Sequence, residues 1–155
     1  MNKKLKKLTV ALTAAVTAAL SAGAFTVFAD DTDIPIDEST FPDEAFRTYV
    51  QTCFGESLSQ DEIANATAID VSYENIAKLD GIQYFTNLTE LNCSSNQLTE
   101  LDVSKNTALE TLICGSNDLE SLNVSSNDKL KKLHCNSNDL TSLNVSNNTK
   151  LTDIN

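Results

Sequence analysis

Four leucines, Leu88, Leu109, Leu130 and Leu151, recur every 21 residues, and no other property of the chain limits its possible folds so tightly. Leu91, Leu112, Leu133 and Ile154 keep the same step. So do the columns Cys93, Cys114 and Cys135; Leu98, Leu119 and Leu140; Leu101, Leu122 and Leu143; and Val103, Val124 and Val145. Two polar columns move with them: Asn96, Asn117 and Asn138, and Asn106, Asn127 and Asn148. A unit this short cannot bury its apolar face alone, so successive units must stack and share one continuous core.

Each unit contains a shorter echo, because Leu88-x-x-Leu91-x-Cys93-x-x-Asn96 is followed by Leu98-x-x-Leu101-x-Val103-x-x-Asn106. The Leu-x-Cys and Leu-x-Val steps alternate with period two, which sends both apolar residues to one face of a short strand. Too few residues separate the two patterns for a helix of ordinary length. The expectation is a solenoid with parallel β-strands on both sides of each coil.

These residues resemble the leucine-rich repeat family, in particular its short nested bacterial class. Asp102 before Val103 keeps that class's Asp, whereas Asn123 and Asn144 replace it in later repeats. The resemblance covers residues 88–155 and extends weakly upstream, where Ile76 to Ile82 and Asn87-Leu88-Thr89 are similar to the irregular first coil of internalin-type proteins. It implies a secreted or surface-displayed scaffold that binds other macromolecules, and it does not imply which.

Residues 41–87 read as the N-terminal cap and irregular first coil, and residues 30–40 as an acidic, mobile linker. A first helix is expected with Thr40 near its cap, Pro42 in its first turn, and Phe46, Tyr49, Val50 and Phe54 as its apolar stripe. A second begins at Ser59, where Ser59-x-x-Glu62 has capping-box spacing. Ile69-Asp70-Val71 alternates as a first strand. The cap also resembles that of secreted repeat proteins from gut-type anaerobes, through Phe41-Pro42-Asp43, Phe46-Arg47 and Leu58-Ser59-x-x-Glu62-Ile63. Some of those proteins place an EF-hand-like loop between the two segments. Here Cys53 to Ser57 lacks the spaced oxygen ligands calcium requires, and none is expected.

The first 29 residues carry Lys3, Lys4, Lys6 and Lys7, no acid, and an uncharged run from Leu8 to Ala29. With small residues at Val27 and Ala29, this reads as a cleaved signal peptide, residues 1–29, leaving no membrane insertion afterwards; the rival reading is an uncleaved anchor, since the run is long enough to span a bilayer but only weakly hydrophobic. The remainder holds 7 basic and 22 acidic side chains, 7 − 22 = −15. A surface so acidic argues against nucleic acid as a partner.

Cys93, Cys114 and Cys135 stand where Val103, Val124 and Val145 stand in the other half-unit, so they read as core thiols filling a small aliphatic site. A ladder does not converge on a point, which disfavours zinc, and parallel side chains make poor disulfide geometry. His134, the only histidine, neighbours Cys135, but alternation sends the two to opposite faces, so they form no dyad. No other nucleophile and base are paired; the reading is non-catalytic, with no cofactor, the alternatives being the recognition arm of a larger secreted enzyme or a purely structural surface protein.

The two Asn columns are expected to turn inward and satisfy backbone groups at the bends. Asn-x-Thr matches such as Asn87-Leu88-Thr89 follow from the repeat consensus and are assigned no glycan.

The outward columns differ between the two sides. On the Leu-x-Cys side they run Glu90, Thr111, Lys132, Asp153; then Asn92, Ile113, His134, Asn155; then Ser94, Gly115, Asn136. On the Leu-x-Val side they are nearly uniform in Ser and Asn. Variety suits recognition, so Glu90, Asn92, Thr111, Ile113, Lys132 and His134 form the candidate binding face for a protein or glycan ligand. Residue 155 falls partway through a repeat, inside an expected strand. Either the natural protein continues, or this edge permits self-association.

Overall fold

The structure is a computed structural model that describes residues 32–155; the expected signal peptide lies outside the described residues. An N-terminal cap precedes a stack of coils joined by one parallel sheet. The cap contains β1 (Ile34–Pro35), α1 (Glu44–Phe54), β2 (Ser57–Leu58) and α2 (Gln60–Asn65). The coils contribute β3 (Ala68–Asp70), a 3₁₀ turn (Ile82–Tyr84), β4 (Glu90–Asn92), β5 (Thr111–Ile113), β6 (Lys132–His134) and β7 (Asp153–Ile154).

Helix α1 starts one turn later than its sequence suggests. Asp43, not Thr40, is the N-cap, and its side chain accepts from Phe46 N at 3.0 Å. Pro42 therefore precedes the cap. An Asp with extended backbone offers a better capping oxygen here, and Thr40 is engaged elsewhere, donating its hydroxyl to Pro35 O. Gly55 ends the helix at φ 91, a conformation costly for other residues. At α2 the capping box forms as the spacing predicts, with Ser59 N donating to Glu62 Oε2 at 2.9 Å.

The segment expected to be a mobile linker is folded into the cap from residue 34 onward. β1 pairs antiparallel with β2, Ile34 opposite Leu58 and Pro35 opposite Ser57. Ile36 is buried, its N–H donates to Glu56 O at 2.8 Å, and its carbonyl accepts from Gln51 Nε2 at 2.9 Å. Ile34 and Ile36 supply the apolar anchors, and Pro35 is tolerated because the pair is an edge. The acidic residues around them stay at the surface.

The main sheet runs β3-β4-β5-β6-β7, all parallel. Its register places Ile69, Leu91, Leu112, Leu133 and Ile154 side by side, as the repeat requires. The far side of each coil differs from expectation, because the Leu-x-Val segments form no strands. One backbone bond per coil crosses there, for example Asp118 N to Leu98 O at 2.9 Å. Two local causes divert the rest: turns such as Asn106 N to Val103 O and Leu109 N to Asn106 O, and Asp102 Oδ1 accepting from Ser104 N at 2.8 Å. Side chains that bind their own backbone compete with a ladder, and here they win.

The core is one cluster from Ile36 to Cys135. Leu88, Leu91, Leu98, Leu109, Leu112, Leu119, Leu130 and Leu133 are fully enclosed within it. Its cap end is sealed by aromatic packing: Phe41 on Phe46 at 5.6 Å between centroids, and Phe54 on Phe85 at 5.7 Å. Gly81, at φ 107, lets the chain pass beneath Phe41, since an added Cβ would lie 2.2 Å from the ring.

Candidate recognition face

Sheet register makes two outward rows from residues far apart in sequence. Glu90, Thr111, Lys132 and Asp153 are successive partners, and so are Asp70, Asn92, Ile113 and His134. The six candidate residues thus lie on one surface. Glu90 is exposed, while Asn92, Thr111, Ile113, Lys132 and His134 are half-buried by their row neighbours.

Two of the six are tied together by a residue outside the set. Asp153 receives Lys132 Nζ at 3.2 Å on Oδ2 and His134 Nε2 at 3.0 Å on Oδ1. The hydrogen bond from His134, followed by that from Lys132, holds the Asp153 carboxyl below its ordinary range. Lys131 reaches Glu110 at 2.7 Å on the same margin. Asn92 also differs from a free contact residue: its Oδ1 accepts from Ser94 N at 3.2 Å and Ser94 Oγ at 2.8 Å. Ile113 is therefore the apolar centre of the face, with Asp70 and Glu90 at the β3–β4 end and the Lys132, His134 and Asp153 group at the β6–β7 end.

Just past the strands a conformational column appears that the amino-acid pattern does not announce. Tyr73, Ser95, Ser116 and Ser137 all adopt left-handed backbone, with φ of 61, 56, 57 and 55. Glycine normally signals such a site, and none is present in this column. Tyr73 is 75% exposed, the most exposed large apolar side chain among the described residues.

The Asn columns face inward and perform two different tasks. Asn117 accepts from Leu98 N at 3.0 Å and donates to Cys93 O and Cys114 O, both at 3.0 Å, so one amide bridges two coils. Asn96 does the same for Ile76 N, Val71 O and Cys93 O, and Asn138 for Leu119 N, Cys114 O and Cys135 O. In the other column Asn127 donates to Val103 O and Asn106 O, and Asn148 to Val124 O and Asn127 O. Asn106 donates to Ile82 O and Phe85 O of the first coil. These amides hold the stack together, and Asn106, Asn117, Asn127 and Asn148 are buried.

The thiols are free, with Cys93, Cys114 and Cys135 buried in the core. Burial pushes the Cys93 thiol well above its ordinary value and the Cys114 thiol up to about 12, which suppresses the nucleophilic thiolate. Cys135 and His134 face opposite sides of β6, the ring turned to Asp153. Among the described residues no group of three His, Cys, Asp or Glu side chains converges as metal ligands would. No helix among them is long and apolar enough to cross a membrane.

A folded stack with one parallel sheet, Asn-bridged bends and a capped apolar end defines a leucine-rich repeat solenoid. Residues 41–155 match the family described as the endo-beta-N-acetylglucosaminidase EndoS LRR domain, and the chain belongs to that family. It is also similar to internalin J of Listeria monocytogenes serotype 4b, 40% identical over 71 residues, which cover 43% of this chain and 8% of the relative. A solved functional domain of that organism's InlJ, described as including a cysteine ladder, matches at TM-score 0.74 and 38% identity, over 79% of this chain and 28% of the other. Internalin C2 of the same species matches in fold at TM-score 0.73 and 22% identity, over 82% and 59% of the two chains. The chain thus spans only a small part of internalin J and little over a quarter of the InlJ domain.

Proposed function

We propose that the protein is an exported, non-catalytic recognition module that binds a macromolecular ligand, a protein first and a glycan second, through its strand face. The supporting observation is the contrast between rows. Residues that face inward repeat from coil to coil, whereas Glu90, Thr111, Lys132 and Asp153 change charge and size along one aligned row. Packing demands the first kind of row and tolerates the second, so the variation is available to a ligand. The expected signal peptide supports a site of action outside the cell, secreted or at the surface, and the acidic balance beyond residue 29 argues against a nucleic-acid partner.

The test is a binding screen against extracellular proteins and glycans, repeated with Ile113→Asp combined with Lys132→Glu. A matched pair on the far side, Ser121→Asp with Ser142→Glu, serves as control. Loss of binding in the first pair alone supports the strand face; loss in the control pair alone removes it.

A second reading has one specific observation in its favour. The matched family is described as a domain of an endo-beta-N-acetylglucosaminidase, so the module could serve as the recognition arm of a larger secreted enzyme. A hydrolase domain in the same reading frame would establish that arrangement.

A further inference from the structure

We infer that the far side of the coils carries a second binding site, a polar groove that takes a neutral, extended β-linked glycan lying across the coils with one sugar unit to each coil. The groove lies opposite the strand face and does not depend on that face recognising a protein.

Two open grooves of about 760 and 310 Å³ occupy the Leu-x-Val side and meet at Ser121 and Asn123, which line both. Together they run from Asp80 to Asn147. Asp102, Asn123 and Asn144 follow one another along this line at the repeat spacing. Each commits one oxygen to its own turn, accepting from Ser104 N at 2.8 Å, Ser125 N at 3.0 Å and Ser146 N at 3.0 Å. The turn needs no more than that oxygen, because Asp102 makes it without an amide. Asn123 and Asn144 therefore bring Nδ2 donors that the fold does not use, and these have no protein partner among the described residues. Ser121 and Ser142, exposed and likewise without a hydroxyl partner, add a second polar row beside them.

Spacing and charge select the ligand. Coils joined through one parallel sheet repeat about every 4.8 Å, and the far side keeps the same step through Asp118 N to Leu98 O and Asp139 N to Leu119 O. An extended peptide presents like groups only about every 6.7 Å, so it falls out of register with the rows. An extended β-linked hexopyranose chain advances by close to one coil per unit and offers hydroxyls at every step. Leu79, Leu101 and Leu122 line the groove between the polar rows and suit the C–H faces of sugar rings. At the cap end Asp80, Glu100 and Asp102 outweigh Lys105, which disfavours an acidic polysaccharide, while the stretch from Ser121 to Asn147 is lined by no charged residue. A uniform surface discriminates poorly among proteins, but a repeating polymer is matched by a repeating surface.

The probes are cellohexaose and chitohexaose, titrated by NMR into the isotope-labelled full chain and compared with maltohexaose, whose α-linked chain curls out of step with the coils. The side-chain amides of Asn123 and Asn144 should shift with a β-linked hexamer, and affinity should climb severalfold from disaccharide to tetrasaccharide before levelling off. Asn123→Ser with Asn144→Ser keeps an accepting oxygen for each turn and removes both amides. It should weaken binding about tenfold with little change in melting temperature. Ser121→Ala with Ser142→Ala, where no hydrogen bond within the protein is lost, should weaken it as well. Ile113→Asp with Lys132→Glu should leave it unchanged, whatever that pair does to a protein ligand. Failure of both β-linked hexamers to bind, equal binding of maltohexaose, or unchanged affinity in both groove pairs overturns the inference. So does loss of the glycan in the strand-face pair alone, which would move it to the opposite side of the coils.

Discussion

Asp43 Oδ2 accepts the backbone N–H of Ala77 at 2.9 Å, 34 residues along the chain, and that of Lys78 at 3.1 Å. Its other oxygen caps α1 through Phe46 N. One carboxylate therefore fixes the start of the cap helix and clamps it to the first coil. Asp43→Ala removes the cap and both cross-links, and should cost about 2 kcal/mol in urea unfolding. Asp43→Asn keeps one accepting oxygen and should cost about half as much.

Gly81 is the second joint between cap and solenoid. Gly81→Ala meets both a left-handed backbone and the Phe41 ring, and should destabilise by about 3 kcal/mol, measured as a lowered thermal midpoint. Gly55→Ala shares the unfavourable φ but has open space around the new Cβ, so its cost should be clearly smaller.

The bridging amides predict a graded response. Asn117→Ala leaves Leu98 N without its acceptor and Cys93 O and Cys114 O without their donor, in a buried setting, and should cost about 1 to 3 kcal/mol. Asn138→Ala, nearer the solvent, should cost less. Equal melting of wild type and Asn117→Ala in denaturant would contradict the bridging role.

The core thiols predict a dependence on pH. The Cys114 pKa is raised in the folded state, from 9.0 to about 12, because burial disfavours the thiolate. Its contribution to stability is fully present below pH 9 and is lost as pH climbs toward 12, since only the unfolded chain releases that proton in between. Stability measured from pH 8 to 11 should therefore fall, and Cys114→Val should remove part of the fall. In native protein at pH 8 an exposed-thiol reagent should modify half-buried Cys53 before Cys114.

Much of this architecture is legible from spacing alone. The period places Leu112 beside Leu133 and Ile113 beside His134, because parallel strands in a solenoid can pair in only one register without breaking the Leu rows. Ser59 and Glu62 announce α2 because a capping box is local. The features that escape the sequence are set by competition or by distance. Whether Leu101-x-Val103 forms a strand depends on turns and on Asp102 binding Ser104, not on alternation. The pairing of Ile34 with Leu58, and the grip of Asp43 on Ala77, join segments with no shared pattern. On the candidate face, the rows are legible, but the tie from Asp153 to Lys132 and His134 depends on side-chain rotamers, and the left-handed Tyr73 depends on a bend carrying no glycine.

The most direct measurement is the affinity of the full chain for the first ligand found by the extracellular screen, determined for wild type, Ile113→Asp with Lys132→Glu, and Ser121→Asp with Ser142→Glu. Recognition through the strand face predicts a loss of about tenfold or more in the first pair, equivalent to about 1.4 kcal/mol, with little change in the second. Retained affinity in the first pair and loss in the second would place the ligand on the far side of the coils and contradict the proposed face.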